Sequence, residues 1–141
     1  VKGNLLGDKK EYINSIKQFD NAIKIDSSFV LAYEHRGLAY ERLGNYLTAI
    51  ESYDKAIRLD STIASIYFNR GVSKYYLEKD DDAINNFNKC IELQKNYTDA
   101  YINRGLTKLN LADKDGACAD WRIVKELGSK NANFYLRKYC K

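Results

Sequence analysis

The chain has 141 residues, 45% of them hydrophobic and 30% charged, enough for one compact domain or a short run of repeats. No apolar run approaches the ~18 residues of a bilayer-crossing helix, so no membrane span is expected. The formal net charge of +4 gathers at the end, where Lys130, Arg137, Lys138 and Lys141 are the only charges after Leu127, so a solvated basic helix end is expected rather than a nucleic-acid or lipid surface.

The chain opens at Val1 inside what reads as the middle of a helix, so a further N-terminal segment is expected upstream, with any targeting signal it carries. From there the sequence repeats itself without a gap. Gly3, Gly37, Gly71 and Gly105 stand 34 residues apart, as do Tyr33, Tyr67, Tyr101 and Tyr135. Ser15, Ala49, Ala83 and Ala117 keep the interval, and so do Phe19, Tyr53, Phe87 and Trp121, and Ile25, Leu59, Leu93 and Leu127. A fixed period of this length is the signature of a stacked array, because one unit cannot bury its own apolar face.

In chain order, residues 1–29 read as a partial unit, and residues 30–63 as the first full one. Tyr33, Gly37 and Tyr40 mark one helix face, and Ala49, Ile50, Tyr53, Ala56 and Ile57 mark another. Leu43-Gly44-Asn45 between them reads as a helix stop with a C-cap glycine, then a new start. The glycine on the first helix, with Ala49 and Ala56 on the second, is expected to let the two backbones approach closely. Residues 64–97 and 98–131 repeat the pattern. In the former, Asp80-Asp81-Asp82 opens the second helix, where carboxylates suit the N-terminal dipole. Residues 132–141 read as a closing helix, about Ala132 to Tyr139.

The run Tyr33-x-x-Arg36-Gly37-x-x-Tyr40-x-x-Leu43-Gly44-x-Tyr46-x-x-Ala49-Ile50-x-x-Tyr53-x-Lys55-Ala56-Ile57-x-Leu59-Asp60 resembles the tetratricopeptide repeat, and the likeness, in a bacterial style, covers nearly the whole chain. It departs at the proline usual after the second helix, replaced by Ser27, Ser61, Lys95 and Ser129; the first three are expected to cap the following helix. The resemblance implies an all-α, right-handed superhelical solenoid of antiparallel helix pairs, closed by a C-terminal capping helix. It also implies a concave groove lined by the first helix of each unit, in which a peptide segment of another protein binds.

Carried over position by position, the groove takes Leu31, Glu34, His35, Leu38, Glu41 and Arg42 from the first full unit. The second supplies Ser65, Phe68, Asn69, Val72, Tyr75 and Tyr76, and the third Asp99, Ile102, Asn103, Leu106, Leu109 and Asn110; the partial unit adds Asn4. Phe68, Val72, Tyr75, Ile102, Leu106 and Leu109 would form an apolar wall. That wall either receives partner side chains or is buried by tighter winding. Asn69 and Asn103, one unit apart, each carry a donor and an acceptor suited to a peptide backbone. The cations with which some members clamp a terminal carboxylate are replaced by Ser65 and Asn69, or by Asp99 and Asn103, so chaperone tails are not expected to bind.

Chemistry-bearing residues are few. With one histidine, His35, no His-based metal cluster forms, and no phosphate loop or nucleophile elbow appears. Neither metal, cofactor nor catalysis is expected. Cys90, Cys118 and Cys140 have no Cys-x-x-Cys spacing, so neither a disulfide framework nor a zinc site is expected. The recurring Arg36, Arg70 and Arg104 are expected to be structural, with Asp26–Arg36 and Asp60–Arg70 as inter-unit ion pairs. The expected function is a protein-interaction scaffold, with self-association through the partial unit or the aromatic cap (Phe134, Tyr135, Tyr139) as the alternative. The groove acids Glu34, Glu41 and Asp99 stand against Arg42, which disfavours nucleic acid. The compartment stays open, with a cytoplasmic one favoured.

Overall fold

The computed structural model describes the backbone of residues 2–141 and the side chains of residues 7–141; the side-chain surroundings of Gly3 and Asn4 lie outside the described residues. Among the described residues there are eight α-helices and no strand. They are α1 (Lys2–Ile25), α2 (Val30–Arg42), α3 (Tyr46–Leu59), α4 (Ala64–Tyr76), α5 (Asp80–Leu93), α6 (Thr98–Asn110), α7 (Lys114–Glu126) and α8 (Asn133–Tyr139). Each helix packs on the next in sequence. In addition α2 touches α4 and α4 touches α6, while α3, α5 and α7 do not touch one another. The stack therefore bends toward the α2/α4/α6 layer, which becomes the inner face. This is the all-α solenoid of helix pairs that the repeat implies.

Each hairpin turn needs one residue in the left-handed region. Gly44 supplies it at φ +78°, whereas Glu78 at 59° and Ala112 at 63° adopt it with a Cβ present, at a cost on the order of 1 kcal/mol each. The next helix then starts on a side-chain cap at two of the three turns: Asn45 Oδ1 accepts from the Thr48 N–H at 3.4 Å, and Asp113 Oδ1 from the Gly116 N–H at 2.9 Å. The corresponding positions in the first unit are Lys9-Lys10-Glu11, all good helix formers. Here α1 runs straight through, so it supplies one outer-layer helix with an N-terminal extension.

Between units, Ser27, Ser61 and Lys95 do not cap the following helices. The N-cap residues are Phe29, Ile63 and Tyr97, none with a side-chain cap. Instead the carbonyls of Ser27, Ser61 and Lys95 accept from the Tyr33, Tyr67 and Tyr101 hydroxyls at 2.8–3.0 Å. This pins each ring at the joint between units.

The repeat glycines have a more specific reason than backbone approach. A Cβ on Gly37 would lie 2.5 Å from the Tyr53 ring, one on Gly71 2.7 Å from the Phe87 ring, and one on Gly105 2.5 Å from Trp121 Nε1. Each glycine is thus the floor on which the ring of the paired helix lies, and all three rings are 0% exposed. The three arginines are structural, but their expected partners are corrected. Arg36 Nη1 meets Asp20 and Arg70 Nη1 meets Asp54, each at 2.9 Å. Asp26 and Asp60 are occupied in the loops, each accepting the backbone N–H and hydroxyl of Ser28 or Thr62. Every arginine also donates through Nε to the paired helix of its own unit: to Ser52, Asn86 and Asp120 in turn. At the last step the 2% exposed Asp120 also takes Lys108 at 3.1 Å, so the buried carboxylate is fully partnered.

The end of the array overturns the reading of the cysteines. Cys118 on α7 and Cys140 just after α8 form a disulfide, with Cα atoms 5.7 Å apart. Their separation of 22 residues carries no recognisable motif; they meet because α8 folds back over α7. Tyr135 stacks on Trp121 at 5.1 Å and Tyr139 lies 5.8 Å from it. Two of the three aromatics expected to serve a second copy thus cover the last unit's own ring. Cys90 is buried and free, and burial pushes its thiol up to about 12.

Gly71→Ala, despite the better helix propensity of alanine, is expected to lower stability by about 1–3 kcal/mol in urea unfolding, because Phe87 has nowhere to retreat. One thiol per chain should react in denaturant without reductant and none in the folded protein. Reduction of the bridge, which closes a 22-residue span, should cost about 3 kcal/mol.

Candidate functional site

The inner face is built in two levels. The lower level is a polar and aromatic floor made of residues expected in the groove. Glu34 is 7% exposed and accepts from Ser65 Oγ at 2.8 Å and Asn69 Nδ2 at 3.5 Å. It is therefore corrected from a ligand contact to a strut between α2 and α4. Glu41 has the same role two turns further along α2, accepting from the Tyr53 hydroxyl at 3.1 Å and Ser73 Oγ at 3.0 Å. Ile102, 9% exposed, belongs to the core around Trp121 and is likewise corrected, and Leu109 packs against that core. Phe68 lies between Phe87 and Tyr97, at 5.9 and 5.1 Å. Most of the expected apolar wall is thus engaged in packing, including Leu106, which packs against the same core while also facing the pocket above it.

The upper level is what remains open. Val72, Tyr75, Tyr76, Asn103 and Leu106 line a pocket of about 270 Å³ between α4 and α6. Tyr76 is 57% exposed at its rim and stacks on Tyr46 at 4.9 Å, which holds the ring upright. An adjoining hollow is lined by Glu41, Arg42, Tyr46, Val72 and Tyr76. The two asparagines are not equivalent. Asn69 is drawn toward Glu34, whereas the Asn103 side-chain amide has no hydrogen-bond partner among the described residues; its backbone carbonyl accepts from the Thr107 hydroxyl. Leu31, Asp99 and Asn110 are exposed beyond the pocket. His35, Leu38 and Arg42 line a separate hollow with α1, where Phe19 meets the His35 ring at 5.7 Å. Tyr46 is the residue missed from sequence: it opens α3 in the outer layer, and only the loop geometry turns it to the rim. Among the described residues no group of His, Cys, Asp or Glu is arranged to hold a metal ion, and no helix is long and apolar enough to cross a membrane.

The Glu41 carboxyl is pushed above the ordinary glutamate range, chiefly by burial; the hydrogen bonds from Ser73 and Tyr53 and the nearby Arg42 oppose the shift. Folding therefore favours its protonated form. That contribution is complete below the unfolded glutamate value and is lost as pH rises through the raised one. Glu41→Gln, which keeps both acceptor contacts, should be more stable than wild type at neutral pH, and the difference should shrink as pH falls through the acid range, read from urea midpoints.

Sequence models described as TPR repeat match residues 3–44 and 42–77, and one described as tetratricopeptide repeat matches residues 64–97. Among curated proteins no relative matches. Several solved structures share the fold. The crystal structure of MamA aligns over 84% of this chain and 70% of its own at 26% identity, with a TM-score of 0.79. The first TPR of Spaghetti (RPAP3), bound to the HSP90 peptide SRMEEVD, aligns over 81% and 92% at 30% identity and TM-score 0.75. YrrB, a TPR protein with an unusual peptide-binding site, aligns over 88% and 64% at 27% identity and TM-score 0.73. With the period, the paired helices and these matches in agreement, the chain belongs to the tetratricopeptide-repeat family.

Proposed function

We propose that the chain is a non-catalytic protein-interaction scaffold that holds an extended peptide segment of a partner protein along the α2/α4/α6 face. The observation that carries this reading is the open pocket between α4 and α6, which joins apolar walls to the unpartnered Asn103 amide. Val72, Leu106 and the two tyrosine rings suit an apolar side chain, and tyrosines supply contact area at little entropic cost. The amide supplies a donor and an acceptor for the main chain beside that side chain. The RPAP3 and YrrB neighbours, whose structures involve peptide binding, support the same use of the fold.

The ligand differs in kind from the acidic peptide of the RPAP3 neighbour. Ser65 and Asn69, which stand where some family members carry clamp residues, turn toward the Glu34 carboxylate. A peptide carboxylate there would meet a like charge with no lysine or arginine to offset it.

Panning of a displayed peptide library on the immobilised protein tests the reading. Recovered peptides should carry an apolar anchor, and their affinity should fall about tenfold or more in Tyr75→Ala/Asn103→Ala, a loss of about 1.4 kcal/mol or more, while Glu51→Ala on the outer layer leaves it unchanged. The peptide SRMEEVD should not bind. Peptides that bind the double variant as tightly as wild type would remove the pocket from consideration.

A further inference from the structure

The hollow beside the α4/α6 pocket carries a charge that the fold does not need. It lies between α2 and α4, shares Val72 and Tyr76 with the pocket, and is otherwise lined by Glu41, Arg42 and Tyr46. The Tyr53 and Ser73 hydroxyls both donate to the same Glu41 oxygen, Oε2, at 3.1 and 3.0 Å. The other oxygen, Oε1, has no hydrogen-bond partner among the described residues. Arg42 is next in sequence, and adjacent residues of a helix do not face each other. Among the described residues it forms no ion pair with Glu41.

The two hydroxyls need an acceptor, and an uncharged glutamine would serve them as well. The equivalent inward positions one and two units later hold Tyr75 and Leu109, so the stack accepts an uncharged residue there. A half-buried carboxylate with no cation beside it costs stability, and such a cost is expected where function requires the charge. The remaining walls are Val72 and the stacked rings of Tyr46 and Tyr76. Apolar walls that end in a carboxylate match a long cationic side chain, whose methylene stem packs on the rings while its head stays polar. Tyrosine rings attract the cation as well. The whole inner face has the same bias, since the acids Glu34, Glu41 and Asp99 stand against Arg42.

We propose that this hollow receives a lysine or arginine side chain of the peptide whose apolar anchor fills the α4/α6 pocket, with Glu41 Oε1 as its counterion. The assignment rests on the peptide-groove reading and adds the chemical class of the ligand: a segment with one apolar and one basic residue. Inner helices pack about 8–10 Å apart, and each hollow lies between one neighbouring pair. An extended chain, rising about 3.3 Å per residue, crosses that distance in two or three residues. The competing occupant is an acidic side chain on Arg42, which would set a like charge against Glu41.

Peptides recovered by panning on the wild-type protein should carry lysine or arginine two or three residues from the apolar anchor. One of them, remade with lysine, norleucine or glutamate at that position, is then titrated by fluorescence anisotropy. The lysine form should bind about fivefold more tightly than the norleucine form, which keeps the stem and loses the charge. The glutamate form should bind more weakly than either. In Glu41→Gln, which still accepts from both hydroxyls, the lysine preference should disappear; in Glu51→Ala, on the outer layer, it should persist. Anchored peptides without a basic residue, or equal affinity for the lysine and norleucine forms, overturn the assignment and leave the apolar pocket in place. A preference for glutamate overturns it in favour of Arg42, and a lysine preference that survives Glu41→Gln removes Glu41 as the counterion. Recovery of no anchored peptide overturns the groove reading and this assignment together.

Discussion

Everything in this molecule depends on an aromatic ring packed directly against a glycine. An inner helix can approach an outer one closely enough for a ring to fill the whole gap between them only if one position on the inner helix has no side chain. Where that condition holds, at Gly37, Gly71 and Gly105, the ring is completely buried. The small residues one turn either side of it are buried with it. The interval between glycine and ring then sets the register of each hairpin, and the register sets which residues face inward. Ring size varies from Phe87 to Trp121, and each ring is fully buried against its glycine.

The joints between units rest on a second device that is polar. Each recurring arginine reaches backward to the outer helix of the preceding unit and forward to that of its own unit, and lies over the tyrosine ring of its own unit at 5.3–5.5 Å. A planar guanidinium suits this because it donates in several directions within one plane and stacks on a ring with its face. Glu34 and Glu41 do similar work across the inner layer. The consequence is a division of labour: buried carboxylates and packed rings hold the curvature, and Val72, Tyr75, Tyr76, Asn103 and Leu106 line the pocket left open on the inner face.

The two ends of the array are treated differently. At the C-terminal end, α8 repeats the start of a further inner helix, placing Tyr135 at the position of Tyr33, Tyr67 and Tyr101. It carries Tyr139 where the glycine would be. That ring lies on Trp121 in place of a bare backbone, so the pattern is closed rather than continued, and the Cys118–Cys140 bridge ties the short helix down. A seven-residue helix has little stability of its own, which gives the bridge a purpose. At the N-terminal end, the α1 column is left half open.

How much of this was legible in the sequence follows from what kind of information a period carries. The 34-residue repeat determined the fold class, the helix pairs, the turn at Gly44 and the closing helix, because these follow from local periodicity and from the need to bury one face of each hairpin. It also singled out the arginines as structural. Tertiary structure alone decided the rest. The partners of Arg36 and Arg70 are Asp20 and Asp54 rather than Asp26 and Asp60, since a helix-to-helix distance across a stack cannot be read from spacing along the chain. Glu34, Glu41 and Ile102 sit at inward positions as expected, but how far neighbouring units wind together determines whether an inward residue is floor or surface. Cys118 and Cys140 carry no motif and meet only because α8 folds back. Sequence sets which face each residue shares; the closeness of the next helix decides whether that face is core or site.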